Sequence, residues 1–365
     1  MSADVKQVEV LAGPYPHGGS AGVPVGRGAN KSEGVWMASW RRMCSDRVGM
    51  VTMLVVGLFL LMVIASSSGL LARDWQKEVG VPNAPPTFLG PAPAEATGTV
   101  QQPKGPNVDL SDIDPLAPRY QEWAERARHY KTEITVKAET LSFGADRLGR
   151  DVLSKAIKGA EVSIMVGVLA AVVATLIGTV LGAISGFFGG KIGDLLEWVY
   201  NVFTAIPGIL LIFAFAVIFG RGVLSVVMIL GLAGWTGIYR LIRAEFIKHS
   251  VREYVRSAEA IGASRFSRMF KHILPNVSHV ALVQLSLHVV GFIKSEVILS
   301  YLGLGVGVDQ VSWGTMLSES QSELILGYWW QLAAVTGFMA VFVTAFALFT
   351  DALRDALDPK LRGLE

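Results

Sequence analysis

The chain contains 365 residues, 52% of them hydrophobic and 17% charged, with a mean hydropathy of +0.46. This composition excludes an ordinary soluble domain and predicts an integral membrane protein. The formal net charge of +2 gives no indication of a nucleic-acid partner, and the single cysteine, Cys44, excludes an internal disulfide framework.

Six runs without Asp, Glu, Lys or Arg indicate where the chain crosses the membrane. An α-helix needs about 20 apolar residues to cross the hydrocarbon core. Each run can carry one crossing, so the sequence predicts an all-α integral membrane protein with six transmembrane helices. The runs are 48–72, 162–190, 198–220, 222–239, 272–293 and 324–350.

The distribution of Lys and Arg predicts that both termini lie in the cytoplasm. With the N-terminus inside, the inside segments hold eighteen Lys and Arg residues, whereas the short outside connections hold only Arg221 and Lys294. The long first outside loop is exempt from this rule. The charged stretch 252–276 then lies on the cytoplasmic face.

The chain divides into five regions. Residues 1–35 are rich in Gly and Pro without periodicity, so we expect a disordered cytoplasmic tail. Residues 36–72 begin with the Trp and Arg side chains typical of a helix at the membrane surface and continue into the first span. An extracytoplasmic loop over 73–155 follows. Residues 156–350 form the core with the other five spans, and 351–365 form a cytoplasmic C-terminus.

The loop over 73–155 has an irregular, proline-rich first half. Residues 119–131 have the pattern of a helix, and Thr132–Phe143 alternates as a strand does. The loop is equally consistent with a small extracytoplasmic cap and with a simple spacer. It ends in GADRLGRDVLSK (144–155), where alternating acids and arginines predict a knot of salt bridges, with an anion site as the alternative.

Two features inside the spans concern helix geometry. Gly178, Gly182 and Gly186 place small residues on one face of span two, which lets two helices approach closely, and we expect this face to pack within the subunit. Pro207, followed by Gly208, removes a backbone hydrogen bond near the start of span three. The resulting kink is consistent with a helix that lines a transport pathway and nearly as well with a static bend.

The stretch 252–276 is charged and lies between two hydrophobic spans. Apolar residues recur at helical spacing on both sides of Gly262, and Pro275 closes the unit. The pattern predicts two short amphipathic helices hinged at the glycine. These helices are either a solvated connection or a docking element for a partner protein.

The sequence contains no motif of a catalytic or metal site. SGFFGGKI (185–192) lacks the first glycine and the hydroxyl of a phosphate-binding loop, and GLGVG (303–307) lacks the third glycine of a dinucleotide fingerprint. Lys294 and Glu296 lie near the end of span five. Glu296 either faces the mouth of a pathway or has a structural role at the helix end.

Several short stretches, in a fixed order over most of the chain, match one family. They are LGRDVLS (148–154), GFFGG (186–190) with Asp194, AIPG (205–208), HILPN (272–276), LSYLGLG (299–305) with Glu296, SWG (312–314) and ALRDALDPKLRG (352–363). On these stretches, residues 35–365 resemble the C-type inner-membrane permease subunit of oligopeptide and dipeptide ABC importers. The resemblance implies the type I ABC importer permease fold, with a cytoplasmic coupling loop at 252–274.

The resemblance also implies a non-catalytic subunit without a cofactor of its own, because partner ATPases bind ATP and Mg. The implied partners are a homologous B-type permease subunit, two cytoplasmic ATPases and an extracytoplasmic peptide-binding protein, all at the bacterial inner membrane. The residues expected to couple to an ATPase are Tyr254, Val255, Arg256, Ala258, Glu259, Ile261, Gly262 and Pro275. The expected pathway or gating residues are Pro207, Gly208 and Glu296.

Two positions depart from the family pattern. Arg256 stands where the family's loop usually begins with an acid, so a salt bridge from that acid to an ATPase cannot be carried over. Thr350 stands where the family often has glycine.

The function that the resemblance implies is ATP-driven import of peptides. A permease for nickel or another small solute is an alternative within the same family. A secondary transporter is a further alternative, although such proteins commonly show two related halves and charges at mid-membrane depth, which the sequence lacks. A membrane-assembly or receptor subunit without transport is a third.

Overall fold

The computed structural model describes residues 35–91, 115–116, 119–129 and 137–357. The tail expected over 1–35 lies outside the described residues except for its last position. Residues 358–365 of the C-terminus also lie outside them.

The described residues form helices joined by short connections; among them β-bridges occur singly and no strand is formed. The helices are α1 (Val35–Ser45), α2 (Arg47–Ser67), α3 (Tyr120–His129), α4 (Val152–Phe188), α5 (Gly190–Ala205), α6 (Gly208–Phe219), α7 (Val223–Ser250), α8 (Glu253–Ala260), α9 (Arg265–Ser267), α10 (Leu274–Tyr301), α11 (Trp313–Ile325) and α12 (Trp330–Leu357). A 3₁₀ turn, Thr87–Leu89, precedes α3, and a π-helical turn, Arg268–Ile273, joins α9 to α10.

Five helical stretches in the described part are long and apolar enough to cross a membrane: α2, α4, α7, α12 and the continuous stretch Arg265–Tyr301. The span predicted over 198–220 is broken, because α5 and α6 meet at an angle of 92°. Ile206 is extended, as expected for a residue before proline, and Pro207 donates no backbone hydrogen bond. With the bent pair counted as one crossing, the predicted number of six is confirmed.

Helix α4 is the centre of the bundle and contacts α2, α7, α10, α11 and α12. Its 37 residues extend over about 55 Å. Its buried alanine and valine side chains join α7, α10 and α12 in the main hydrophobic core. The N-terminal end of α4 therefore contacts the segment that precedes it. Its C-terminal end lies near the loop between α7 and α10.

The glycine face of α4 packs directly on α7. A methyl group built on Gly178, Gly182 or Gly186 would lie only 2.6–2.7 Å from a backbone oxygen of α7. The three oxygens belong to Trp235, Tyr239 and Arg243, one helical turn apart. Any side chain larger than hydrogen would push the helices apart, so the prediction that this face packs within the subunit is confirmed.

Residues 68–91 and 137–151 form a compact segment at the N-terminal end of α4. Ala138 exchanges backbone hydrogen bonds of 2.9 Å with Val79 and Val81. The strand predicted over Thr132–Phe143 does not form within its described part, 137–143, because Pro85 and Pro86 on the facing chain have no N–H to extend a ladder. The helix predicted over 119–131 is α3.

Candidate functional site

The connection between α7 and α10 contains the two short helices that the sequence predicts. Helix α8 ends just before Gly262, whose φ of +88° belongs to the region that favours glycine. Ser264 then caps α9, since its hydroxyl oxygen accepts a hydrogen bond from the Ser267 N–H at 3.2 Å. The π-helical turn Arg268–Ile273 leads into α10, and such turns often occur at functional sites. The glycine hinge is confirmed.

One face of α8 is buried against the bundle. Val255 is 2% exposed and Ala258 is 4% exposed. Val255 joins Met269 and Ile273 in a small apolar core. The other members of that core come from α4, α7 and α10: Ala183, Ile238, Ile242, Phe246 and Val277. Burial of one such side chain contributes about 1.5–3 kcal/mol, so the connection is fixed to the bundle rather than loosely solvated.

Charged and aromatic contacts join the two halves of the loop to α4. Arg268 lies 2.6 Å from the carboxylate of Glu259 on α8, and its guanidinium stands over the ring of Phe187 at 5.6 Å. Phe266 contacts Phe188 edge to face, with ring centroids 6.3 Å apart. Phe187 and Phe188 lie at the C-terminal end of α4, so these contacts attach the loop to this end.

A second link joins α8 to the end of α7. The Tyr254 hydroxyl and His249 Nδ1 are 2.8 Å apart. Sequence reasoning did not identify His249 or Arg268 as parts of the site. The five-residue spacing from His249 to Tyr254 across a helix break carries no regular signal, and Arg268 resembles any other surface cation in the sequence.

The opposite face of the loop is open. Ile261 is 85% exposed and Phe266 is 65% exposed, and Arg256 and Glu259 are exposed beside them. Of the other residues predicted to couple, Tyr254, Gly262 and Pro275 also lie on the surface, and their contact with an ATPase stays a prediction. The buried positions of Val255 and Ala258 correct their predicted role, because these side chains serve the subunit's own core.

The three predicted pathway residues lie in different environments. Pro207 and Gly208 are at the 92° bend, where residues 204–210 are all exposed. Glu296 is fully buried, and its two carboxylate oxygens accept hydrogen bonds of 2.6 Å from Ser163 and Ser300. This places Glu296 inside the subunit rather than at a pathway surface and agrees with the structural alternative. Ser300 lies one helical turn from Glu296 in the sequence, whereas Ser163 gives no local signal.

A buried group of charged side chains lies at the N-terminal end of α4. Lys155 lies 2.7 Å from Asp146 and also forms an ion pair with Glu319 of α11, and Arg150 lies 2.7 Å from the same Asp146 oxygen. Burial raises the pKa of Asp146, but the charges and hydrogen bonds of Lys155 and Arg150 outweigh this effect and hold the pKa below its ordinary value of 3.8. The salt-bridge knot predicted at 144–155 is confirmed, and it attaches the segment to the bundle.

A comparison with known families identifies the chain. Residues 178–363 match the family described as binding-protein-dependent transport system inner membrane component. The chain belongs to this family. The matched residues are half of this chain and include the whole loop from α8 to α10.

Three relatives are similar to longer stretches of this chain than the family model. The oligopeptide transport system permease protein OppC of Bacillus subtilis (strain 168) is 38% identical over 220 residues, which are 60% of this chain and 72% of that protein. The dipeptide transport system permease protein DppC of the same organism is 36% identical over 220 residues, 60% of this chain and 69% of that protein. The protein DppC of Lactococcus lactis subsp. cremoris (strain MG1363) is 27% identical over 322 residues, 88% of this chain and 90% of that protein.

The family match and the long apolar helices both indicate a membrane permease. The transport component is a multi-pass inner-membrane protein with the permease fold, and the family resemblance that the sequence motifs indicate is confirmed.

Proposed function

We propose that this chain is the transmembrane permease subunit of an ATP-driven ABC importer for peptides. It forms half of the translocation pathway, and the loop from α8 to α10 couples it to a cytoplasmic ATPase. The observation that carries this proposal is the two-faced loop, whose one side is buried in the bundle while the other presents Ile261 and Phe266. Relatives named for dipeptide, oligopeptide and glutathione transport support peptides as the substrate class.

In the proposed assembly, a homologous B-type permease subunit supplies the other half of the pathway. Two ATPases bind on the cytoplasmic side, where both termini and the α8 loop lie, and a peptide-binding protein delivers substrate on the opposite side. The ATPases bind ATP and Mg, and this subunit binds no cofactor. It positions the pathway and performs no chemistry of its own.

A movement of α8 is transmitted to the membrane helices by the contacts of its inner face. The Val255 core reaches α7 and α10, and the Arg268 contact with Phe187 reaches the end of α4. Packed cores move between discrete arrangements rather than deform continuously, so these helices tilt together between inward-facing and outward-facing states. ATP binding shifts this equilibrium only as far as the ATPases bind the two states differently.

Uptake of a radiolabelled peptide into proteoliposomes that contain the whole importer tests the proposal. Ile261→Arg introduces a charge on the open face of the loop without changing the buried core. We expect normal membrane insertion and melting temperature, with a loss of about tenfold or more in both co-purified ATPase and ATP-driven uptake. Val308→Arg is the matched control, because Val308 is 92% exposed in the connection between α10 and α11 and should tolerate the same change.

Three outcomes would contradict parts of the proposal. Full uptake by Ile261→Arg would refute the coupling role of the loop. Uptake that ignores ATP and follows an imposed ion gradient would indicate a secondary transporter. Nickel uptake without peptide uptake in the same vesicles would change the substrate class. Variants at Val255 or Ala258 are unsuitable for this test, because a change there damages the core.

A further inference from the structure

One face of α10 is exposed along the C-terminal half of the helix and contains a glycine and a lysine among its apolar residues. Its exposed residues are spaced by four, three, four and three positions, so they form one stripe along the helix. They are Leu287, Gly291, Lys294, Ile298 and Tyr301, and we call them the α10 stripe. Gly291 has nothing within 4 Å of the position a β-carbon would take, so the stripe is open at its centre.

Helix α2 offers a comparison, because its exposed stripe has the composition that hydrocarbon accepts. Its exposed residues at the same spacing are Val51, Leu54, Leu58 and Leu61, all aliphatic. Gly57 of α2 is as open as Gly291, so the lysine makes the difference: in the same position on α10 it would expose a charge to hydrocarbon. Ionisable side chains within membrane spans almost always face protein or a water-filled cavity. No residue that the structure describes covers the α10 stripe, which leaves it open to water or to a partner in the assembly.

No residue in the described part of the chain neutralises the ammonium group of Lys294. It forms no ion pair with any residue that the structure describes, although Glu296 is only two positions away. Two residues correspond to a rotation of about 200° on a helix, so Glu296 points to the opposite side, where Ser163 and Ser300 bind its carboxylate. The charge of Lys294 therefore remains available to an external anion.

A second exposed cation lies beyond the end of the same helix. Arg221, in the connection between α6 and α7, places its guanidinium beside Gly303, two residues after α10 ends. The backbone N–H of Gly222 donates a hydrogen bond of 3.1 Å to Gly305, which fixes this connection against the end of α10. Arg221 also forms no ion pair with a described residue. Positive charge thus continues from the α10 stripe to the end of the bundle opposite the α8 loop.

We propose that the α10 stripe lines the aqueous pathway between the two permease subunits and that Lys294 binds the C-terminal carboxylate of the peptide during its passage. This inference rests on the proposed peptide importer. The carboxylate is the negative group that every unmodified peptide carries whatever its side chains, so one lysine serves a whole substrate class. An ion pair in contact with water is weak, so Lys294 guides the peptide without trapping it.

The single cysteine of the chain makes a direct test possible. In a Cys44→Ser parent, Lys294→Cys is compared with Leu58→Cys on the aliphatic stripe of α2, which we expect to face lipid. The assembled importer is treated in nanodiscs, which expose both membrane faces, with thiosulfonate reagents that carry either an ammonium or a sulfonate group. We expect labelling of Lys294→Cys and none of Leu58→Cys, because a thiol must ionise in water to react.

The same reagents test the role of the charge. We expect Lys294→Cys to reduce peptide uptake at low peptide concentration by about fivefold, the upper contribution of an ion pair in contact with water. The ammonium reagent, which restores a cation, should return uptake close to that of the parent. The sulfonate reagent should lower uptake further. The treated Cys44→Ser parent shows any effect of the reagents on other subunits.

Each other result overturns a defined part of the inference. Absence of labelling at Lys294→Cys means that lipid or the partner subunit covers the stripe. Labelling with the same effect of both reagents excludes a carboxylate contact. If the Cys44→Ser parent takes up no peptide with ATP, both the proposed function and the contact between Lys294 and a peptide carboxylate are refuted. The labelling result still decides whether the α10 stripe lines water.

Discussion

The buried ion pair between Lys155 and Asp146 gives the sharpest prediction about stability. Both side chains are fully buried at the junction between α4 and the segment that precedes it, and Lys155 also binds Glu319 of α11. Lys155→Met keeps the length of the side chain and removes its charge. The variant leaves two carboxylates without their shared cation.

The size of the effect follows from the contacts that remain. Removal of one partner from a buried ion pair typically costs about 3–5 kcal/mol. We expect the lower end, about 3 kcal/mol, because Arg150 still lies 2.7 Å from the same Asp146 oxygen and the N–H groups of Leu148 and Arg150 still donate to the other oxygen. Lys158→Met, one turn along α4, removes a partly exposed cation from the buried Glu161, to which the Ser66 hydroxyl still donates a hydrogen bond, and should cost about 1 kcal/mol or less.

Thermal unfolding of the purified subunit in detergent measures the difference. At about 2 °C per kcal/mol for a protein of this size, we expect Lys155→Met to lower the melting temperature by about 6 °C and Lys158→Met by about 2 °C. Limited proteolysis should also cut the segment 68–91 of Lys155→Met faster. Equal effects of the two lysine variants, or an intact segment in Lys155→Met, would refute the reasoning that burial makes the first pair essential.

Acidification should weaken the same junction. The folded-state pKa of Asp146 lies below its ordinary value of 3.8, so its ionised form contributes stability that is complete above that pH and is lost as the pH falls through the folded-state pKa. We expect the melting temperature of the wild type to fall below about pH 4 more steeply than that of Asp146→Asn, which starts lower and has no carboxyl group to titrate. Parallel curves would contradict this assignment.

Three further predictions follow together. Gly182→Leu should lower the free energy of unfolding by about 1–3 kcal/mol, because even a methyl group there would lie 2.7 Å from a backbone oxygen of α7. Gly237→Leu is the control, because Gly237 has open space around it. Equal stability of the two variants would contradict this prediction. Ser163→Ala leaves one oxygen of the buried Glu296 carboxylate without its donor and should cost about 1–3 kcal/mol, which Ser163→Thr should largely avoid. Burial raises the pKa of Glu323, and one of its carboxylate oxygens has no hydrogen-bond partner among the described residues. Because a raised folded-state pKa removes stability as the pH rises, Glu323→Gln should increase the melting temperature at pH 7, with the gain shrinking towards acid pH; no gain at pH 7 would contradict it.

The coupling loop shows what the periodicity of apolar residues can predict and what it cannot. Helical spacing in the sequence predicts two helices hinged at Gly262, and the structure has both. The family resemblance placed Val255 and Ile261 together among the residues that couple to an ATPase, yet Val255 is 2% exposed and Ile261 is 85% exposed. Both are apolar, so their chemistry does not distinguish the residue that fills the subunit's core from the residue that remains outside.

Some contacts of the charged residues could be predicted from the sequence, and others are found only in the fold. The alternating acids and arginines at 144–155 are close in sequence, so a salt-bridge knot could be predicted from their order alone. Its third partner, Glu319, lies 164 positions from Lys155 and carries no signal in the local pattern. Glu296 could be located near a helix end, but only the fold shows that Ser163 occupies its carboxylate and that Lys294 points away from it.

Composition and uncharged runs were sufficient to establish a helical membrane protein, six crossings and the glycine face of α4, because charge is costly in hydrocarbon and close helix contact requires small residues. Which apolar face of each helix is inside was decided only by tertiary packing. In water, hydrophobicity distinguishes a buried face from an exposed one. In a membrane, lipid, partner subunit and core all accept apolar side chains, so the faces of α10 are distinguished only when the helices are placed together. On α8, which lies outside the spans, the bundle and a partner protein both accept apolar side chains, so only packing shows which face is the inner one.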